Sequence, residues 1–137
     1  MKVLVTGCGG YIGTLLTPYL LRKGYGVRCV DRLFFGDDVL KHVIGERNFE
    51  LVKADTRSIS KDVLNGIDAV VDLAALSNDP AGELNPQWTL DINYRARARL
   101  LSLPVRLGGS LGIYSPQAVV FMVGRVVLLM RIPSQTH

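Results

Sequence analysis

Three glycines stand at three-residue intervals near the start of the chain, at Gly7, Gly10 and Gly13 of the segment T-G-C-G-G-Y-I-G. In such a loop the first glycine permits a tight turn, the second admits a pyrophosphate against the backbone, and the third lets a helix pack closely on a sheet. A helix beginning near Tyr11 would direct free N–H groups and the positive end of its dipole at phosphate. The spacing therefore predicts a phosphate-binding loop, with pyrophosphate contacts from Gly10 to Ile12, although glycine loops also form ordinary turns.

An acid lies where a dinucleotide-binding loop would need one. Asp31 ends the next apolar run, about 20 residues beyond the glycines, as in dinucleotide-binding folds. A carboxylate there can accept hydrogen bonds from both adenosine ribose hydroxyls and repels a 2′-phosphate, so it favours NAD over NADP. Arg32 beside it keeps NADP as the alternative cofactor. A structural turn followed by an unrelated acid is the remaining interpretation.

Strand-like and helical patterns alternate along the chain and would position these residues. Strands are predicted at 2–6, 27–30, 49–53 and 68–75, and helices at 11–23, 62–65 and 86–100. Alternation of this kind predicts an α/β fold whose parallel sheet is wound by right-handed crossovers. The first helix carries an apolar stripe that we expect to pack on the sheet: Ile12, Leu15, Leu16, Tyr19 and Leu20.

Charge is distributed unevenly along the 137 residues, whose net charge is +4. Residues 92–137 contain six arginines and no acid, whereas residues 1–91 contain all twelve acids. The arginine cluster of this segment is Arg95, Arg97 and Arg99, which lacks interleaved aromatic residues. We therefore expect a solvated helix face there, and no nucleic-acid partner. No apolar run reaches the roughly 18 residues of a membrane span, so no membrane partner is expected either.

Two cysteines, Cys8 and Cys29, are too few for a disulfide framework or for a four-ligand zinc site. We therefore expect no metal site and a reducing, cytoplasmic location. Cys8 lies beside Gly7, and a small loop residue is the favoured interpretation over a reactive thiol.

Together these motifs resemble the extended short-chain dehydrogenase/reductases, specifically the NAD-dependent epimerase/dehydratase family. The resemblance covers residues 1 to about 100 and is carried by T-G-x-x-G-x-x-G at 6–13, by Asp31, by D-T at 55–56, and by D-A-V-V-D-L-A-A at 68–75. L-S-N-D-P at 76–80, L-N-P at 84–86 and D-I-N at 91–93 are similar to a UDP-glucose 4-epimerase-like subgroup. The resemblance implies a Rossmann-like doubly wound parallel sheet and a nucleotide-sugar substrate. Its reaction would be hydride transfer between NAD and a sugar hydroxyl carbon.

The resemblance also implies which residues bind the cofactor. Asp55 would meet the adenine amino group, and Thr56 is polar where the family carries a hydrophobic residue. The small Ala74 and Ala75 would let the cofactor lie against the backbone. The full set of expected cofactor-binding residues is Gly7, Gly10, Tyr11, Ile12, Gly13, Asp31, Asp55, Thr56, Leu73, Ala74 and Ala75.

The family's catalytic pair is a tyrosine and a lysine in Y-x-x-x-K, where the tyrosine removes a hydroxyl proton as hydride passes to NAD. The only such motif here runs from Tyr19 to Lys23, in the first helix. We interpret it as a chance match and assign no catalytic residue.

The family pattern and the acids both stop near residue 100. A shifted reading frame takes the last base of each codon together with the first two bases of the next codon. In that frame, codons for residues 115–123 are compatible with the peptide S-S-S-C-S-V-Y-G, which resembles the family's segment with the catalytic Ser/Thr. We therefore expect a one-base change of frame near Leu100 or Leu101, a truncated NAD-binding region at 1–100, and an irregular divergent tail at 101–137. A genuinely divergent C-terminus, a non-catalytic dinucleotide-binding module and a non-functional product are the alternatives.

Overall fold

The computed structural model describes residues 1–75, 85–102 and 112–114. The strands are β1 (Lys2–Thr6), β2 (Gly26–Asp31), β3 (Phe49–Lys53), β4 (Ala69–Asp72) and β5 (Gly112–Tyr114). The helices are α1 (Tyr11–Arg22), α2 (Pro86–Leu90) and α3 (Arg97–Ser102), and a π-helical segment (Asp91–Ala96) joins the last two. Single 3₁₀ turns occupy Asp38–Leu40 and Lys61–Leu64. The predicted alternation of strands and helices is confirmed.

The five strands form one parallel sheet in the order β3-β2-β1-β4-β5. The chain runs outward from β1 through β2 to β3 and then crosses back to β4, so the winding direction reverses between β1 and β4. Ligands of open α/β sheets bind beyond the carboxyl ends of the strands at such a reversal. The predicted Rossmann-like doubly wound sheet is therefore confirmed.

The C-terminal region departs from expectation at one point. Residues 112–114 form β5, with Gly112 beside Ala69 in the register, although the segment 101–137 was expected to be irregular. The rest of the expected tail beyond Ser102 lies outside the described residues, as does the segment from Leu76 to Leu84.

The core lies on both faces of the sheet, because neighbouring residues of each strand point to opposite sides. On one face Leu4 of β1 packs among residues of the turns after β3 and of the last helix; this cluster comprises Leu4, Val30, Ile59, Val63, Leu64, Ile67, Val70 and Leu100. On the other face the cluster comprises Val3, Val5, Cys8, Val27, Cys29, Leu40 and Val43. β1 is thus buried from both sides, and the loop that follows it begins from a fixed position.

The face of α1 that meets the sheet differs from the predicted stripe. Gly13 and Thr17 are the buried residues of this helix, whereas Ile12, Leu15 and Tyr19 are 53%, 62% and 49% exposed. The glycine lets the helix approach the backbone below it, and this close approach rotates the contact face toward Gly13 and Thr17. The assignment of Tyr19 to the core is therefore wrong.

Candidate functional site

The loop between β1 and α1 requires glycine at two of its predicted positions. Gly7 has φ +70°, and a Cβ there would lie 2.7 Å from the amide nitrogen of Ala74 and 2.8 Å from the carbonyl carbon of Leu73. A Cβ at Gly13 would lie 2.6 Å from the carbonyl carbon of Cys8. Neither distance is compatible with a side chain, so these glycines hold the loop against the end of β4 and hold α1 against the loop.

Gly10 is different, because its surroundings are open. A Cβ at this position would meet only the carbonyl oxygen of Gly7, at 3.3 Å. Gly10 is the residue that precedes α1, and neither a side-chain cap nor an acid in the first turn serves the N–H groups of that turn. The N-terminus of a twelve-residue helix with accessible donors and the positive dipole end suits an anion. Of the predicted pyrophosphate contacts, Tyr11 and Ile12 lie in this first turn. Gly10 precedes it, and its amide donates to the carbonyl oxygen of Gly7 at 3.1 Å.

Asp31, the last residue of β2, lies beside the glycine loop. Its Oδ2 accepts a hydrogen bond from the amide of Gly9 at 2.8 Å, and its Oδ1 accepts one from the amide of Leu33 at 2.6 Å. Each carboxylate oxygen keeps further lone pairs that can accept hydrogen bonds from a ligand hydroxyl. The same carboxylate therefore supports the loop and remains a hydroxyl acceptor.

The turn after Asp31 is strained. Leu33 is the one non-glycine residue with positive φ (57°) among the residues that the structure describes. This conformation is unfavourable for a residue with a Cβ, and strained residues of this kind cluster at active sites and ligand clamps. In this conformation the Leu33 amide points back and donates to Asp31, which orients the carboxylate.

Asp55 lies beyond the end of β3 and accepts hydrogen bonds from two arginines. Nε of Arg57 donates to both of its oxygens, at 3.0 and 3.1 Å, and Nη2 of the same side chain donates to Oδ2 at 2.6 Å. Arg32 donates from Nη1 to Oδ2 at 3.1 Å. The Arg57 guanidinium holds the pKa of the Asp55 carboxyl below its ordinary value of 3.8, although partial burial opposes this. Thr56 is half-buried in the same turn.

The end of β4 contains a buried polar network. Asp72 accepts hydrogen bonds from Oγ1 of Thr6 and from Nε of Arg97, and the amide of Ala74 donates to Oγ1 of Thr6 at 3.3 Å. Leu73 donates its amide to the carbonyl oxygen of Thr6 at 3.1 Å. The backbone of residues 73–74, predicted to face the cofactor, is thereby fixed against the residue that precedes Gly7.

Arg97 does not lie on a solvated helix face. It is 5% exposed and Asp72 is 4% exposed, and Nη2 of Arg97 is buried without a hydrogen-bond partner among the described residues. The expectation is confirmed for Arg95, which is exposed and pairs with Asp91 at 2.6 Å. Three arginines at alternate positions cannot share one helix face, because successive residues are about 100° apart around the helix.

Cys8 and Cys29 form a disulfide, with their Cα atoms 5.8 Å apart. The sequence did not predict this pairing, because two cysteines are too few for a disulfide framework and Cys8 was expected to be a small loop residue. The glycine loop folds back over β2, so Cys8 meets Cys29 on the neighbouring strand inside the apolar core, and both residues are fully buried. The disulfide joins the loop to the strand that ends in Asp31.

The predicted loop residues and Asp31 thus converge at the carboxyl edge of the sheet, and Asp55 and residues 73–75 follow strands that end at the same edge. Tyr19 and Lys23 lie elsewhere, at the far end of α1, where Nζ of Lys23 is 5.6 Å from the ring centroid of Tyr19. Since a helix rises about 1.5 Å per residue, Tyr19 lies on the order of 12 Å along the axis from Tyr11. That separation agrees with the interpretation of this Y-x-x-x-K as a chance match.

Four residues of the site were not predicted for the roles they have: Thr6, Arg57, Asp72 and Arg97. The contacts of Thr6 and Arg97 with Asp72 join residues 66 and 25 positions apart, and single-sequence patterns carry no signal for such pairs. Arg57 lies only two residues from Asp55. The one available signal was the acid within the apolar strand at Asp72, since a buried carboxylate requires a partner.

Comparisons with known proteins give one family. The model of the NAD dependent epimerase/dehydratase family matches residues 3–117, past the expected limit at about residue 100. UDP-glucuronic acid decarboxylase 1 of Danio rerio is 32% identical over 119 residues, which are 86% of this chain and 28% of that protein. UDP-glucose 4-epimerase of Klebsiella pneumoniae is 30% identical over 128 residues, which cover 88% of this chain and 92% of that sequence.

Among solved structures, MoeE5 in complex with UDP-glucose and NAD has a TM-score of 0.66 and 29% identity, over 82% of this chain and 36% of that one. The chain thus spans about a third of that structure and 28% of the length of the zebrafish decarboxylase. None of the helices in the described parts of the chain is long and apolar enough to cross a membrane.

Proposed function

Because the chain belongs to the NAD dependent epimerase/dehydratase family, we propose that residues 1–100 bind NAD at the carboxyl edge of the sheet, between β1 and β4. One observation carries the proposal: the open, uncapped N-terminus of α1 lies beside a carboxylate that is already oriented by two backbone amides. The N–H groups of the helix can donate to a pyrophosphate, and the neighbouring carboxylate can accept from the hydroxyls of the ribose linked to it.

Each part of the cofactor has a matching group in the chain. The amides of Tyr11 and Ile12 at the start of α1 would donate to the pyrophosphate, since a helix N-terminus favours negative charge. Gly10 would line the site without donating, because its amide already donates to the carbonyl oxygen of Gly7 at 3.1 Å. Asp31 would accept the hydroxyls of the adenosine ribose and disfavour a 2′-phosphate, which supports NAD over NADP. Gly7 lies against the backbone of Ala74, so at this point backbone and not a bulky side chain lines the space between the ends of β1 and β4.

The adenine end would lie near Asp55 and Thr56. The Asp55 carboxylate already accepts from Arg57 and from Arg32, so an exocyclic amine would contact it by replacing one of these donors. The Asp55 carboxyl, whose pKa is lowered from 3.8, is ionised at neutral pH, and an ionised carboxylate only accepts hydrogen bonds. The adenine would therefore present its amino group to this residue.

A nucleotide sugar is the substrate class that we propose for the protein to which these residues belong. The similar proteins named above act on or bind UDP-sugars by their descriptions. Bound NAD supplies a hydride acceptor for oxidation of a sugar carbon. The described residues supply the binding and orientation of the cofactor, and no residue among them is assigned the role of the proton acceptor.

Calorimetric titration of the chain with NAD tests the proposal. We expect binding, and we expect Asp31→Ala to weaken it by about tenfold or more, because a hydrogen bond to a charged group is worth about 1.5–3 kcal/mol. Asp37→Asn is the matched control, since Asp37 is an exposed acid near the same strand and its loss changes the net charge equally.

Equal affinity of the native chain and the Asp31→Ala variant for NAD would contradict the ribose assignment. Absence of NAD binding by the native chain would contradict the proposal as a whole. Circular dichroism of each variant separates loss of the ligand contact from loss of the fold.

A further inference from the structure

The residue after Asp31 carries a positive charge that a 2′-phosphate could use. Arg32 directly follows the carboxylate that we assign to the ribose, and an arginine near that position is what accommodates the additional phosphate of NADP. Its side chain is 49% exposed, so it is accessible to a ligand. By itself this arginine would favour NADP.

Two neighbouring side chains contact the guanidinium group of Arg32. Asp55 accepts from Nη1 of Arg32 at 3.1 Å, and the ring centroid of Phe34 lies 4.7 Å from the guanidinium carbon. Asp55 is held in place by Arg57, which donates from its backbone amide at 2.9 Å as well as from its side chain. The carboxylate is therefore a fixed partner, and Arg32 is held against it.

The charges of this cluster balance. Asp31 and Asp55 contribute two negative charges and Arg32 and Arg57 contribute two positive charges. A 2′-phosphate brought to Asp31 would add a further negative charge of about two where both guanidinium groups are already paired. The phosphate could recruit Arg32 only by separating it from Asp55 and from Phe34.

On this basis, and resting on the proposed binding of NAD, we propose that Asp55 and Phe34 sequester Arg32 and thereby set the preference for NAD over NADP. Asp31 repels the phosphate directly, and Asp55 withholds the cation that would compensate. Asp55 is then a specificity-determining residue in addition to its expected contact with adenine.

The test is the ratio of the dissociation constants for NADP and NAD, measured by calorimetry on the full chain. The ratio cancels any effect of Asp55 on the adenine, which both cofactors share. In Asp55→Asn we expect the ratio to fall by up to about fivefold, because the exposed ion pair that holds Arg32 is lost while its contact with Phe34 remains.

Three further variants separate the mechanism from a simple change of charge. In the double variant Asp55→Asn/Arg32→Gln the ratio is expected to return to the native value or above, because the released cation is gone. Asp37→Asn, which removes one exposed acid that does not contact Arg32, is expected to leave the ratio unchanged. Phe34→Leu changes an exposed residue and leaves Asp55 in place. It is expected to lower the ratio by up to about threefold, since one exposed cation–π contact is lost.

The outcomes are distinguishable. If the native chain binds NAD but neither Asp55→Asn nor Phe34→Leu changes the ratio, the sequestration of Arg32 is wrong and the proposed function stands. A fall in the ratio that persists in the double variant also overturns it, because Arg32 is then not the group released. If the native chain binds neither cofactor, the proposed function and this inference fail together.

Discussion

Arg97 and Asp72 form a buried ion pair that joins the last helical segment to the end of β4. Both side chains are almost completely removed from water, at 4% and 5% exposure. A buried pair of this kind contributes little net stability relative to apolar residues, but loss of one partner leaves an uncompensated buried charge. The pair therefore acts chiefly by fixing Asp72, and through Asp72 the hydroxyl of Thr6, beneath the glycine loop.

We expect Arg97→Leu to lower the free energy of unfolding by about 3–5 kcal/mol, because Asp72 would be left buried and unpaired. Urea denaturation followed by circular dichroism measures this change. Arg95→Leu, two residues earlier, breaks an exposed pair with Asp91 and should cost no more than about 0.5 kcal/mol. If the two variants lose equal stability, Asp72 is not dependent on Arg97.

Two glycines of the loop should respond differently to alanine. Gly13→Ala places a Cβ against the backbone of Cys8, and such overpacking typically costs about 1–3 kcal/mol, seen as a lower midpoint of thermal unfolding. Gly10→Ala meets only one atom, at 3.3 Å, so the fold should persist while NAD affinity falls. If the Gly10→Ala variant binds NAD with the native affinity, the pyrophosphate does not lie at this position.

The stability of the chain should depend on pH through Asp55. Its pKa is lowered in the folded state from 3.8 by the hydrogen bonds from Arg57, so its contribution is complete above the unfolded pKa and is lost as the pH falls through the folded pKa. The difference in unfolding free energy between the native chain and Asp55→Asn should therefore be constant from pH 7 to about pH 5 and shrink below about pH 4. A difference that stays constant to pH 2.5 would show that Asp55 has equal pKa values in both states.

Reduction should destabilise the region around the glycine loop. The disulfide joins residues 21 positions apart, and closing a loop of that size stabilises a fold by about 3 kcal/mol in the chain-entropy model. Dithiothreitol should lower the thermal midpoint of the native chain and leave a Cys8→Ala/Cys29→Ala variant unchanged. Two thiols titrated in urea without reductant would show instead that the cysteines are unpaired.

The fold was accessible from sequence because its signals are local. Glycine spacing, the acid at Asp31 and the apolar runs each require only neighbours along the chain, and they predicted β1 to β4, α1 and the helical region after Pro86. The buried face of α1 was not accessible in this way. It is decided by how closely Gly13 lets the helix approach, which overrides the stripe of Ile12, Leu15 and Tyr19.

Contacts across the sheet were equally hidden. Cys8 with Cys29, Asp72 with Arg97 and Arg32 with Asp55 are 21, 25 and 23 residues apart. Nothing in one sequence marks such partners, because the parallel crossovers that bring them together are defined only once the strand order is known. The predicted residues therefore lie together at the carboxyl edge of the sheet, but the prediction lacked the residues that hold them in place.

β1 has the central position that makes a strand slow to open. It pairs along its length with β2 on one side and with β4 on the other, and its side chains are buried on both faces. Its amide protons can reach solvent only when the sheet itself separates, so their hydrogen–deuterium exchange should report global unfolding. The glycine loop starts at the next residue, and an anion bound there would be held by backbone anchored to a strand that opens only when the sheet separates.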